Sequence, residues 1–268
     1  MADTGDTYWV KQTATQPVYP DLVWSKPENK AHAGKLLIVS GNAAGFAVAA
    51  QAYGAAQAAG AGTVRVILPD NLRRQMPKEV QFELDFAPSV IHGSFSKTAL
   101  SDLLGHSNWA DIVLLPGGIG RNSETSTVLD GFVTKYSGLL TLAEDALDVF
   151  VHDPGQLFGR NDTIVIADFS QLQKVWHKVA SGLPALTYSL PLQLLVELLH
   201  KFSLQIAPLL VVNHQNMLLV AYRGKVSSTP SDEAVWRVQV ASTCAVWAMQ
   251  HTNKLFESVT TALVHPVS

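Results

Sequence analysis

Two glycine-bearing segments have the residue types and spacing to hold an anion. Lys35–Gly45 reads KLLIVSGNAAG, and Asp111–Gly120 reads DIVLLPGGIG before Arg121 and Asn122. Each is an apolar run that ends in glycines and leads into a helix-like stretch. Glycine permits a tight turn and close backbone approach, and unpaired N–H groups at a helix start attract phosphate. Gly41, Asn42 and Gly45 in the first turn, with Gly117, Gly118, Gly120 and Arg121 in the second, are therefore the candidate binding residues. Arg121 could pair with a phosphate, and Asn42 could hydrogen-bond a ribose or an amide. Ordinary strand-to-helix turns would leave the same signature.

The elements that must position these turns alternate. Strands are expected at Leu36–Ser40, Thr63–Leu68, Glu83–Ala87, Ile112–Leu115, Thr163–Ala167, Ala185–Tyr188, Leu209–Val212 and Met217–Tyr222, the last two joined by a turn at Asn213–Asn216. Helices are expected at Ala43–Ala59, Asn71–Val80, Ser96–Leu104, Ser123–Tyr136 with Ser123 as cap, Ser170–Val179 and Pro191–Lys201. Two more close the pattern, Pro230–His251 and Lys254–Val264, while Asp145–His152 is ambiguous. Such alternation predicts an α/β fold with a mostly parallel central sheet covered by helices on both faces, an α/β/α sandwich. Residues 1–33, punctuated by Pro17, Pro20 and Pro27, read as an arm with a short helix, and 34–268 as a single domain.

Composition narrows the function. The chain has 268 residues, 47% hydrophobic and only 15% charged, which predicts a large core and suits a homo-oligomer. A net charge of -3 argues against nucleic-acid and membrane-surface partners. Nine scattered histidines and one cysteine, Cys244, in an apolar stretch give no metal-ligand pattern and no disulfide. No signal-peptide pattern opens the sequence and no run is long enough to span a bilayer, so a cytoplasmic protein is expected.

HAGKLLIVSG at 32–41, AAQAAGAGTVRVILP at 55–69 and ADIVLLPGGIGRNSET at 110–125 together resemble the NAD(P)H-hydrate dehydratase family of the ribokinase-like superfamily. The resemblance implies a ribokinase-like fold and a cleft for ATP or ADP with Mg2+ and for an NAD(P)H-type ligand. It also implies phosphorylation of a ring hydroxyl followed by elimination of phosphate, and an oligomer. The family's Gly-Thr-Gly-Asp motif, source of the base and the anion hole, falls at Val235-Trp236-Arg237-Val238, and no glycine follows Gly224. Asp232 is the nearest substitute for the base, but Thr229-Pro230-Ser231-Asp232 reads as a capped helix start. Asn213-His214 stands where the family has lysine-glycine, with His214 read as an exposed turn residue. Leu186–Leu190 stands in place of a Thr-Pro-His segment. Asp168 falls where the family has an aspartate and is read as a helix cap.

The expectation is a divergent homologue with weak or no catalysis and a retained nucleotide-type cleft. An active dehydratase with rearranged catalytic groups, a small-molecule kinase, and a structural subunit with an empty cleft are the alternatives.

Overall fold

The computed structural model describes residues 8–76, 83–91, 93–231 and 237–264. The first half of the chain contains β1 (Trp9–Lys11), α1 (Pro20–Trp24), β2 (Lys35–Val39), α2 (Ala47–Ala58), β3 (Thr63–Pro69), β4 (Glu83–Ala87), α3 (Ala99–Ser107), β5 (Ile112–Leu115) and α4 (Ser123–Lys135). Next come β6 (Leu139–Ala143), α5 (Glu144–Asp148), α6 (Gly155–Phe158), β7 (Thr163–Asp168), α7 (Phe169–Val179) and α8 (Leu192–Ser203). The chain continues through β8 (Leu209–His214), β9 (Met217–Tyr222), β10 (Lys225–Pro230), α9 (Arg237–Gln250) and α10 (Leu255–Ala262).

The ten described strands form one sheet in the order β1-β10-β9-β8-β7-β6-β5-β2-β3-β4. Among them only β9 runs antiparallel to its neighbours. The central strands read as largely apolar runs because both faces are covered. In β2, Leu37 and Val39 join the core under α3, α4, α7 and α8, while Leu36 and Ile38 join the core under α2, α9 and α10. The period of two in a strand splits one run between two cores. On the second face, Ala49, Ala52 and Ala56 of α2 are fully buried, and α2 packs on α9. Small side chains let the two helices approach closely. Gly54 lies on the exposed side of α2, where an added Cβ meets nothing within 4 Å. Gly54→Ala is therefore expected to stabilise the protein by about 0.5–1 kcal/mol, read from urea unfolding. An unchanged midpoint would show that α2 already frays at this position.

Several elements differ from the sequence reading. The first helix starts at Ala47, not Ala43, because Asn42 closes a tight turn: its N–H donates to Gly45 O, and its side chain accepts from Ala44 N. Asp70–Gln75 is a 3-10 helix, and the rest of the helix expected to Val80 lies outside the described residues. The Ser96–Leu104 helix is displaced to Ala99–Ser107. Asn122, not Ser123, caps α4, accepting from Glu124 N at 2.8 Å. No strand forms at Ala185–Tyr188, whose loop is held instead by side-chain donors to its carbonyls.

Thr229 and Pro230, read as a helix start, are the last residues of β10, and Asp232 lies outside the described residues. Pro230 sits at the end of its strand, where its missing N–H is tolerated. β6, β10 and β1 were not foreseen. Residues 9–11 of the arm pair in parallel with β10, and the short helix expected in the arm is α1.

Candidate functional site

Strand order reverses between β2 and β5, and the two glycine turns leave the carboxyl ends of these two strands. In open α/β sheets this is the usual crevice for a ligand. Here the turns grip each other. Gly41 N–H donates to Gly118 O at 3.1 Å, Asn42 Nδ2 donates to the same oxygen at 2.7 Å, and Ser40 Oγ donates to Gly117 O at 2.6 Å. Gly117 and Gly118 have φ of +101° and +69°. A Cβ on Gly118 would lie 2.8 Å from the Val48 Cβ, and one on Gly117 would collide with the Glu144 Cβ. Both glycines are demanded by packing inside the protein.

The N–H groups of the second turn are also engaged. Ile119 N and Gly120 N donate to the two carboxylate oxygens of Asp145 at 3.4 and 3.0 Å. A carboxylate of the protein occupies the position that an anionic ligand would take.

A cavity of about 1050 Å3 lies to one side, over the carboxyl ends of β6, β7 and β8. Gly118 and Val48 form one wall. Glu144, Asp145, Asp168 and Arg237 bring the charge, and Phe169, Tyr188, Asn213, His214 and Gln215 line the far side. No lysine lines it.

Three of these charges are committed to one another. Arg237, the first residue of α9, places Nε 2.8 Å from Glu144 Oε1 and one terminal nitrogen 2.7 Å from Asp168 Oδ2. Asp168 also caps α7 with its other oxygen, accepting from Gln171 N at 2.6 Å and Ser170 Oγ at 2.7 Å, while Gln171 completes the capping box. It is both the expected cap and a cleft residue. Burial pushes the Asp168 carboxyl up, but the Gln171 N–H, the Ser170 hydroxyl and Arg237 outweigh it and hold the pKa below the ordinary value. Glu144 is shifted the other way: burial raises its pKa, Arg237 opposes, and Asp145 and Asp168 add to the rise. Its backbone is in the left-handed region, with φ +53°, a conformation that is costly for a residue with a side chain. Gln171 steadies it by donating to Glu144 O at 2.9 Å.

His214 is 3% exposed and belongs to β8, so it is not an exposed turn histidine; the turn is Gln215-Asn216. Burial lowers its pKa. Its ring stacks on Phe169 with centroids 4.2 Å apart, Tyr188 meets it edge-on at 4.9 Å, and neither ring nitrogen has a hydrogen-bond partner among the described residues.

The residues expected from the sequence thus divide. Gly118 reaches the cleft, while Gly41, Asn42, Gly45 and Gly117 shape the turns beside it. Gly120 and Arg121 border a separate hollow of about 440 Å3, where the Arg121 side chain is 90% exposed and 3.9 Å from Asp148. Cys244 is buried in α9, where desolvation pushes its thiol up to about 12, and it packs as expected. Sequence reasoning missed Glu144 and Asp145. They follow the apolar run Leu139–Leu142 as the glycines follow theirs, but with acids in place of glycine.

This sheet, with its order, single antiparallel strand and two helical layers, is the ribokinase-like fold. A ribokinase-like superfamily protein from Enterococcus faecalis superposes with a TM-score of 0.70 at 13% identity, covering 99% of this chain and 88% of that one. The ADP/ATP-dependent NAD(P)H-hydrate dehydratase from Bacillus subtilis, co-crystallised with ATP and Mg2+, superposes with a TM-score of 0.63 at 13% identity, covering 93% and 87%. A protein from Streptococcus mutans gives a TM-score of 0.65 at 16% identity, covering 91% and 86%. No family model matches the chain, and no curated protein matches it. The likeness at these identities is one of fold. No described helix is long and apolar enough to cross a membrane.

Among the described residues the groups that would meet ATP are already engaged: the one cation lining the cleft is bound to two carboxylates, the amides of Ile119 and Gly120 hold a third, and no cluster of three or more His, Cys, Asp or Glu side chains gathers there closely enough to share a metal ion.

Proposed function

We propose that this protein is a small-molecule-binding protein of ribokinase-like fold that has given up ATP-dependent phosphoryl transfer and NAD(P)H-hydrate dehydration. The observation that carries this reading is Arg237 held between Glu144 and Asp168 at the start of α9. Phosphoryl transfer depends on positioned donors and cations facing the developing charge. In this cleft the donors face carboxylates of the protein. Exposing them to a phosphate means breaking ion pairs and seating the anion among three acids. Loss of a general base typically lowers a rate by about two to four orders of magnitude, and loss of an anion-hole donor by about two to three more.

The test is calorimetry with ATP, ADP, AMP, NADH and NADPH, each with and without Mg2+, followed by an assay for ATP- or ADP-dependent conversion of NADH-hydrate to NADH. The expected result is no nucleotide-dependent conversion and no tight binding of the triphosphate. Turnover that requires ATP or ADP would overturn the reading and restore the active-dehydratase alternative.

A further inference from the structure

We propose that the cleft binds a flat-ring compound carrying a cationic head group, with the ring against His214 and Phe169 and the cation at Asp145. The proposal deepens the preceding reading and rests on the cleft being a ligand site.

The first observation is His214. A buried polar group without a partner is costly and uncommon. Here both imidazole nitrogens are unpartnered in a ring that is 3% exposed and borders the cleft. Its ring lies against the Phe169 face and the Tyr188 edge. A ligand that hydrogen-bonds this imidazole would satisfy it.

The cover over it can move. The Tyr188 residue is 65% exposed and sits on a loop without regular structure. Gln215 Nε2 donates to Tyr188 O at 2.9 Å and Gln173 Nε2 to Leu186 O at 2.8 Å, so the loop backbone is anchored from the cleft wall. Rotation of the Tyr188 side chain uncovers the His214 ring while that backbone stays in place. An incoming ring can then take the edge-to-face position that Tyr188 now holds, an arrangement aromatic pairs favour.

The second observation is charge. Among the described residues, three carboxylates and one guanidinium line the cavity, with no lysine. Arg237 serves Glu144 and Asp168. Asp145 has amide partners but no cation within ion-pair distance among the described residues. The field in such a cleft attracts cations and repels anions.

The experiment is an NMR titration of the whole protein with three compounds that share a phenol ring: tyramine with its ammonium, neutral tyrosol, and anionic 4-hydroxyphenylacetate. The His214 ring signals, assigned with His214→Gln, locate the binding. Tyramine is expected to move them and to bind about tenfold more tightly than 4-hydroxyphenylacetate, the size of one surface charge contact. In Asp145→Asn the preference for tyramine over tyrosol should vanish.

Equal affinity for the three compounds, tighter binding of the anion, or binding that leaves His214 unmoved would overturn the proposal. So would no binding at all. ATP-dependent turnover is a separate outcome: it sinks the reading of a closed phosphoryl-transfer centre and leaves the ring series to decide the charge preference.

Discussion

Gly117→Ala is expected to cost about 3 kcal/mol, summing the strain of a side chain at positive φ and an overpacked contact. The position has φ +101°, and its new Cβ would collide with the Glu144 Cβ. Glu144 cannot easily retreat. It is itself at φ +53°, its carbonyl is held by Gln171 and its carboxylate by Arg237. The two strained residues lock each other, and the clash falls on backbone-anchored atoms. Chemical unfolding of the variant measures the loss, with Gly54→Ala as the control in open space. A loss no larger than about 1 kcal/mol, the cost of the φ alone, would show that the turn after β5 relaxes freely and that the contact with α5 is loose.

Arg237→Met should destabilise by about 1–2 kcal/mol at neutral pH. The estimate is discounted from the fully buried case, because Arg237, Glu144 and Asp168 side chains are 31%, 26% and 37% exposed. The sign of its pH dependence follows from the two carboxyls. Asp168 sits below its ordinary 3.8, so it contributes stability above that value that is lost as pH falls through its lower folded pKa. Glu144 sits above its ordinary 4.5, so the folded state loses stability as pH rises from there through the raised value. Without Arg237, Asp168 loses part of what depresses it and Glu144 is pushed further up. Both changes make the deficit grow as pH rises. Urea melts at pH 4 and pH 7 should therefore show the smaller loss in acid, and adding Glu144→Gln should recover part of the loss at pH 7. Equal deficits at both pH values would mean that Arg237 acts by packing alone.

The fold was largely legible because β2, β5, β7, β8 and β9 carry mostly buried apolar residues on both faces, and β3 does so apart from Arg65. β10 escaped because KVSSTP pairs through its backbone while its side chains are small and polar. Thr229-Pro230 then imitated a helix start, since capping chemistry and a strand end use the same residues. The site was half legible. The glycines after apolar strands lie in the two turns where strand order reverses. Local sequence could not reveal that Asp145, from the next strand-to-helix junction, fills the amides of that turn, nor that Arg237 reaches two junctions at once. These are long-range pairings, decided by sheet order. His214 was misplaced for a related reason: its burial comes from Phe169 and Tyr188, on segments distant in sequence.

The seam between β1 and β10 sets an order of events during synthesis. Trp9 pairs with Val226, and the buried Gln12 donates to Thr229 Oγ1 and, across 248 positions, to Thr260 O. Loops of this span close slowly, and synthesis delivers β10 and α10 long after β1. β1 therefore has no partner in the sheet until β10 has emerged, and the seam closes late. A copy stalled before residue 225 keeps the Trp9–Gln12 backbone unpaired and open to proteases, whereas pairing with β10 withdraws it. Cleavage near Trp9 would report incomplete chains.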